Sequence, residues 1–125
     1  MSAVADAARE LVGTRFRAQG RGAEGLDCVG LAAAALQAGG YEGPVPWGYR
    51  LRGGDPAVVA ARLDAVLDRG DGAAEGDLLL CVSGPGQLHL AIRTAGGIVH
   101  ADAGLRKVVE RPGEVPWPVI GVWRL

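Results

Sequence analysis

Cys28, His89 and His100 are the side chains of this sequence whose types could together perform nucleophilic chemistry. Cys28 stands in G-A-E-G-L-D-C-V-G-L-A-A-A-A-L, between a glycine-rich run and a stretch of small apolar residues. Most free cysteines are inert packing groups. Here Asp27 reads as a helix N-cap, which puts Cys28 in the first turn. Unpaired amides and the helix dipole favour an anion at that position, so the thiol is expected to lose its proton easily. The glycines ahead of it allow close approach of backbone to a substrate. A cysteine nucleophile also needs a base. The chain has two histidines, His89 in Q-L-H-L-A-I-R-T and His100 in G-I-V-H-A, with the tight turn T-A-G-G between the two runs. A hairpin of that kind can bring both imidazoles to one face, where one orients the other.

The elements that must hold these residues follow from periodicity. Val4, Ala7, Ala8, Leu11 and Val12 repeat with a helical period that Gly13 ends. The run G-T-R-F-R-A-Q-G-R-G-A-E-G-L has few strand signals and reads as a basic loop. A second helix runs from Cys28 to about Gln37, uncharged and therefore buried on most faces, and Gly39-Gly40 close it. Y-E-G-P-V-P-W-G-Y is irregular, and its rings, Trp47 and Tyr49 among them, could wall a cleft. Asp55-Pro56 opens a third helix with the stripe Val58, Val59, Leu63, Val66 and Leu67, stopped by Gly70. The period then changes. D-L-L-L-C-V-S, Q-L-H-L-A-I-R-T, G-I-V-H-A, R-K-V-V-E and V-I-G-V-W-R-L read as five strands. Helices followed by strands predict an α+β fold with helices on an antiparallel sheet. Within it Cys81 is expected to be a packed strand residue.

The 125 residues suffice for a single domain, 1–125, with one core. A net charge of −1 argues against nucleic acid as a partner. No stretch reaches the ~20 apolar residues of a membrane span. The N-terminal segment carries acidic residues inside its apolar pattern and has no basic start, so it reads as a helix and not a secretion signal. The chain is therefore expected to be cytoplasmic as synthesised, with its two cysteines reduced.

The runs G-T-R-F-R-A-Q-G-R-G-A-E-G-L-D-C-V-G-L, E-G-D-L-L-L, L-H-L-A-I and I-V-H-A-D, in that order, resemble the NlpC-type cell-wall cysteine peptidases. The segment Y-E-G-P-V-P-W-G-Y is similar to the phage-tail branch of that superfamily. The resemblance implies a papain-like α+β fold with Cys28 as nucleophile, His89 as general base and His100 as the residue that orients it. It implies hydrolysis of amide bonds in peptidoglycan stem peptides, often between D-glutamate and a diamino acid. Phage-tail or gene-transfer-particle proteins would be partners, giving a virion- or tail-associated route to the wall. Substrate contacts are expected from Phe16, Asp27, Arg15, Arg17 and Trp47, with Arg21 beside them. Two positions depart from the pattern: Phe16 where many members carry tyrosine, and Val29 where many carry serine.

Other readings use the same residues. One is a phage-tail component in which the fold serves assembly. Another is an acyltransferase or amidase that directs the Cys28–His89 pair at a different acceptor. A zinc site from Cys28, His89, His100 and Asp102 would lack the close-spaced ligand pair common in structural zinc sites, so no metal or other cofactor is expected.

Overall fold

A computed structural model describes residues 2–45 and 49–125. Helices α1 (Ala3–Glu10), α2 (Cys28–Ala38) and α3 (Pro56–Asp64) are capped by Ser2, Asp27 and Asp55, each accepting an amide proton of its own first turn. Between α1 and α2 the glycine-rich run is more ordered than its composition predicts. Strands β1 (Arg21–Gly22) and β2 (Gly25–Leu26) pair there as a small antiparallel hairpin. Two-residue strands carry no periodic pattern, so the sequence does not announce them.

The main sheet has six antiparallel strands: β3 (Asp68–Arg69), β4 (Leu78–Gly84), β5 (Gln87–Arg93), β6 (Gly97–Asp102), β7 (Lys107–Pro112) and β8 (Val119–Arg124). Their order is β3-β8-β4-β5-β6-β7. Five were expected. The sixth, β3, is a short edge strand in the stretch assigned to the end of the third helix. That helix stops at Asp64, and its predicted stripe is only partly used: Leu67 enters the core, whereas Val58 is exposed.

Alternation along the strands makes two faces. Leu78, Leu80, Leu88, Leu90, Ile92 and Val99 face the helices and share one core with Val29, Leu31 and Leu36 of α2. Leu79, Cys81, Ala91 and Ile98 form a smaller cluster on the opposite face, packed against Val115, Trp117 and Val122. By the same alternation His89 and His100 belong to that second face. Strands β5 and β6 pair only at Ile92↔Val99 and Arg93↔Ile98. Beyond those pairs the register ends, and α2 packs against both strands. The helix layer thus meets the sheet where the two histidine-bearing segments are not joined to each other.

Candidate active site

The start of α2 is anchored through Asp27, which is buried. Its Oδ1 accepts the Gly30 amide at 2.8 Å, the capping bond. Its Oδ2 accepts the Gln19 amide at 3.0 Å and the Tyr49 hydroxyl. Arg21 completes the cluster, with Nη1 at 3.4 Å from Asp27 Oδ1 and donating to the Tyr49 oxygen at 3.1 Å. Burial and the hydrogen bond to Asp27 raise the Tyr49 pKa, which keeps the phenol a donor. One carboxylate therefore ties the glycine-rich loop, helix α2 and the segment before α3 together. The glycine two residues after Cys28 has a steric cause. A Cβ on Gly30 would lie 2.0 Å from the Gly20 carbonyl oxygen, so the loop rests directly on helix backbone.

Cys28 is buried, 4% exposed, and contributes to the wall of a cleft of about 690 Å³. The expectation of an easily lost proton is not met. Burial pushes the thiol up to about 12, Asp27 adds to the rise, and amides of Leu90, Cys28 and Val29 oppose it. First-turn amides have no acceptor inside the helix. With the Gly30 amide engaged by Asp27, those of Cys28 and Val29 remain for the sulfur or for an oxyanion beside it.

His89 Nε2 and His100 Nδ1 are 2.9 Å apart. Burial, then proximity to His100, lower the His89 pKa to about 4, against a smaller upward pull from Asp102. His100 is also lowered, first by burial and then by Arg111, again opposed by Asp102. Either neutral ring can be the donor in this contact; in the tautomer that suits a base, His89 donates Nε2–H to Nδ1 of His100. The acceptor lone pair of His89 is then on Nδ1. Burial thus works against charge on both the thiol and the imidazole.

The structure brings Cys28, His89, His100, Phe16 and Asp27 into the lining of one cleft, with Gln19, Tyr49, Arg52, Asp102 and Trp117. Other expected contacts are elsewhere. Arg15 is exposed, and its backbone bridges to Lys107 outside the cleft. Arg17 is exposed and paired with Glu24 at 2.6 Å. Arg21 is held at Asp27 and Tyr49 and does not line the cleft. Trp47 lies outside the described residues. Arg52 and Trp117 escaped the sequence reading. Arg52 precedes Gly53-Gly54 with no pattern to mark it, and Trp117 sits between two prolines in the connection between the last two strands. Among the described residues no group of three His, Cys, Asp or Glu side chains is placed to hold a metal ion. No helix among them is long and apolar enough to cross a membrane.

No family model matches the sequence, and no curated protein matches it. Solved structures do. The NlpC/P60 domain of the peptidoglycan hydrolase SagA superposes with a TM-score of 0.65 at 24% identity, over 98% of this chain and 97% of that one. The fold is that of NlpC/P60 domains. NlpC1 from Trichomonas vaginalis gives a TM-score of 0.72 at 18% identity, over 97% of this chain and 42% of its own. An NlpC/P60 family protein from Bacillus cereus ATCC 10987 gives 0.69 at 19%, over 98% and 39%. The chain thus spans nearly all of the SagA domain and about two-fifths of the two longer proteins. At these identities the likeness is one of architecture, and it agrees with the papain-like α+β arrangement expected from the sequence.

Proposed function

We propose that this chain is a cysteine peptidase that hydrolyses amide bonds in peptidoglycan stem peptides. The observation that carries the reading is the 2.9 Å contact between the two histidines in a cleft whose wall also holds a helix-start cysteine. The NlpC/P60 architecture supports it, since one protein of that fold is a peptidoglycan hydrolase by name.

In this mechanism Sγ of Cys28 attacks the amide carbonyl while its proton passes to Nδ1 of His89. The carbonyl oxygen becomes an oxyanion, met by backbone amides at the start of α2. The C–N bond breaks, the leaving amine takes the proton from His89, and a thioester remains on Cys28. Water then attacks the thioester with His89 as base, releasing the acid and restoring the thiol. His100 holds Nε2–H of His89 throughout, which fixes the tautomer.

The scissile bond in this reading joins D-glutamate to a diamino acid. The cleft volume is within the range of small-ligand sites, which suits a compact peptide. Arg52 is the cation in its lining and could meet a stem-peptide carboxylate. A phage-like particle would carry the enzyme to the wall, a suggestion resting on the character of residues 41–49.

Purified protein incubated with defined muropeptides and with casein, followed by mass spectrometry, tests the proposal. Cleavage of the D-glutamyl bond in the stem, lost in Cys28→Ala and absent with casein, is the expected result. Casein fragments with intact muropeptides would overturn it. Turnover of neither would favour a role in assembly.

A further inference from the structure

Strand β7 is one edge of the sheet, while β8 lies between β3 and β4. The connection, residues 113–118, therefore crosses β6, β5 and β4. Four strand spacings amount to about 19 Å, so this strap has little slack. It is tied at both ends: the Gly113 amide donates to Gly96 O at 2.8 Å, and the Val82 amide donates to Pro118 O at 3.0 Å. Pro116 and Pro118 restrict the backbone on either side of Trp117. The strap runs over the face of the sheet that carries the two histidines.

Three rings meet beneath it. The Trp117 centroid is 5.1 Å from that of His89 and 5.0 Å from that of His100, and the histidine centroids are 5.1 Å apart. All three interplanar angles fall between 81° and 86°. Each plane is nearly perpendicular to the other two, like the walls of a box corner. At this separation no ring can turn far about its own bonds without meeting a neighbour.

We infer that Trp117 is a positioning residue for the imidazole pair: it fixes the plane of His89 and keeps water from the Nε2–Nδ1 hydrogen bond. The strap and its two ties set the indole, and the indole sets the rings. This deepens the proposed peptidase reading and rests on it, because in that reading a His89 held through Nε2 leaves Nδ1 to take the Cys28 proton. The geometric part, a tryptophan holding two histidines apart from water, holds independently of substrate.

The groups that bear on the pair are known. Asp102 at the end of β6 draws both imidazoles toward protonation, and Arg111 on β7 opposes it at His100. Cys28, Asp27, Tyr49 and Arg52 share the cleft, and Cys81 on β4 is the register partner of His89. Removing the indole leaves these in place and admits water, so the imidazoles should protonate at higher pH.

The test compares Trp117→Leu, which keeps apolar cover but no ring plane, with Trp117→Phe, which restores a ring. NMR titration of the imidazole protons follows protonation without substrate, and kcat and KM on muropeptides follow chemistry. In Trp117→Leu the titration midpoint should rise toward 6.5, the ordinary histidine value. Its kcat should fall roughly tenfold to a hundredfold with KM little changed, the effect of a misplaced base. Trp117→Phe should recover most of both. In the unmodified protein, indole emission should change with the same midpoint as the histidine signals, and this change should vanish in Trp117→Phe. Unshifted titration in Trp117→Leu, or indole emission that ignores histidine protonation in the unmodified protein, would overturn the inference. A shifted midpoint with no turnover of any muropeptide would instead preserve the inference and count against the peptidase.

Discussion

Cys28 and Cys81 are both free and both buried, and the fold brings both into the neighbourhood of His89. Cys81 is the register partner of His89 across β4 and β5 and shares its face of the sheet. Such cross-strand partners have Cβ atoms about 5 Å apart. Cys28 comes from the helix layer, on the other side of the sheet. By sequence distance and strand pairing Cys81 is the closer of the two, yet the surroundings favour Cys28. Cys81 is fully enclosed between Leu79, Ala91 and Ile98, and it does not line the cleft. Its thiol is pushed up to about 11 by burial, with only Arg93 opposing. Cys28 faces the cleft and has backbone amides directed at it. An imidazole alone does not make a nucleophile. A path for substrate and donors for the developing oxyanion are needed as well.

The sharpest way to break this comparison is to remove each sulfur in turn. Cys28→Ala should lower kcat/KM on muropeptides by about 10⁴-fold or more. Cys81→Ala should leave activity near that of the unmodified protein. The reverse pattern would transfer the nucleophile to β4.

The imidazoles come next. His89→Ala should reduce kcat/KM by up to about 10⁴-fold, the range for a general base. His100→Ala should cost less, because a mispositioned base remains. If His89→Ala turned over muropeptides as fast as the unmodified protein, the mechanism would be lost. In the same assay, iodoacetamide labelling of the native protein with peptide mapping should find Cys28 modified well before Cys81.

Acid provides a gentler probe. The folded protein holds His89 near 4, while the unfolded chain returns it to about 6.5. Between those values the unfolded chain binds the proton and the folded one does not, so stability falls as pH drops through this window. Above about 6.5 this group contributes no slope. Thermal unfolding at a series of pH values should show the decline, and His89→Gln should flatten it. An equal slope in that variant would assign the effect to other groups.

The smallest effect concerns the mounting of Cys28. Gly30→Ala places a methyl group against the Gly20 carbonyl and should cost about 1–3 kcal/mol, the usual price of overpacking. It should also weaken activity more than Cys81→Ala does, because the displaced loop carries Gln19 and Phe16 to the cleft. Denaturant unfolding together with the muropeptide assay reads both quantities.

Much of this arrangement is legible in the chain. The uncharged run after Asp27 determines a buried helix, and the aspartate determines where it begins. Alternation in Q-L-H-L-A-I-R-T and G-I-V-H-A determines that the histidines face away from the leucine and valine side of their strands. The order of helices and strands determines the α+β class. Other features escaped because their causes are not local. The two-residue strands β1 and β3 exist through their partners, Gly25–Leu26 and Trp123–Arg124. Arg15, Arg17 and Arg21 looked like cleft residues from charge alone, but only tertiary contacts show that Glu24 and the Asp27–Tyr49 pair engage two of them.

The sequence by itself determined the kinds of group available for chemistry and the element that bears each one. Helical and strand periods arise from neighbours three, four or two positions away, and capping arises from the residue next door, so a single chain reading suffices for them. Tertiary structure alone decided how these groups meet. It ended the β5–β6 pairing just short of the histidines, brought α2 to that point and stretched residues 113–118 across the other side. It also decided which way the thiol is pushed, because a thiol at a helix start is acidic only while solvent or a cation can support its charge. Burial against the sheet outweighs the amides there, and no local pattern encodes how deeply a first turn will be buried.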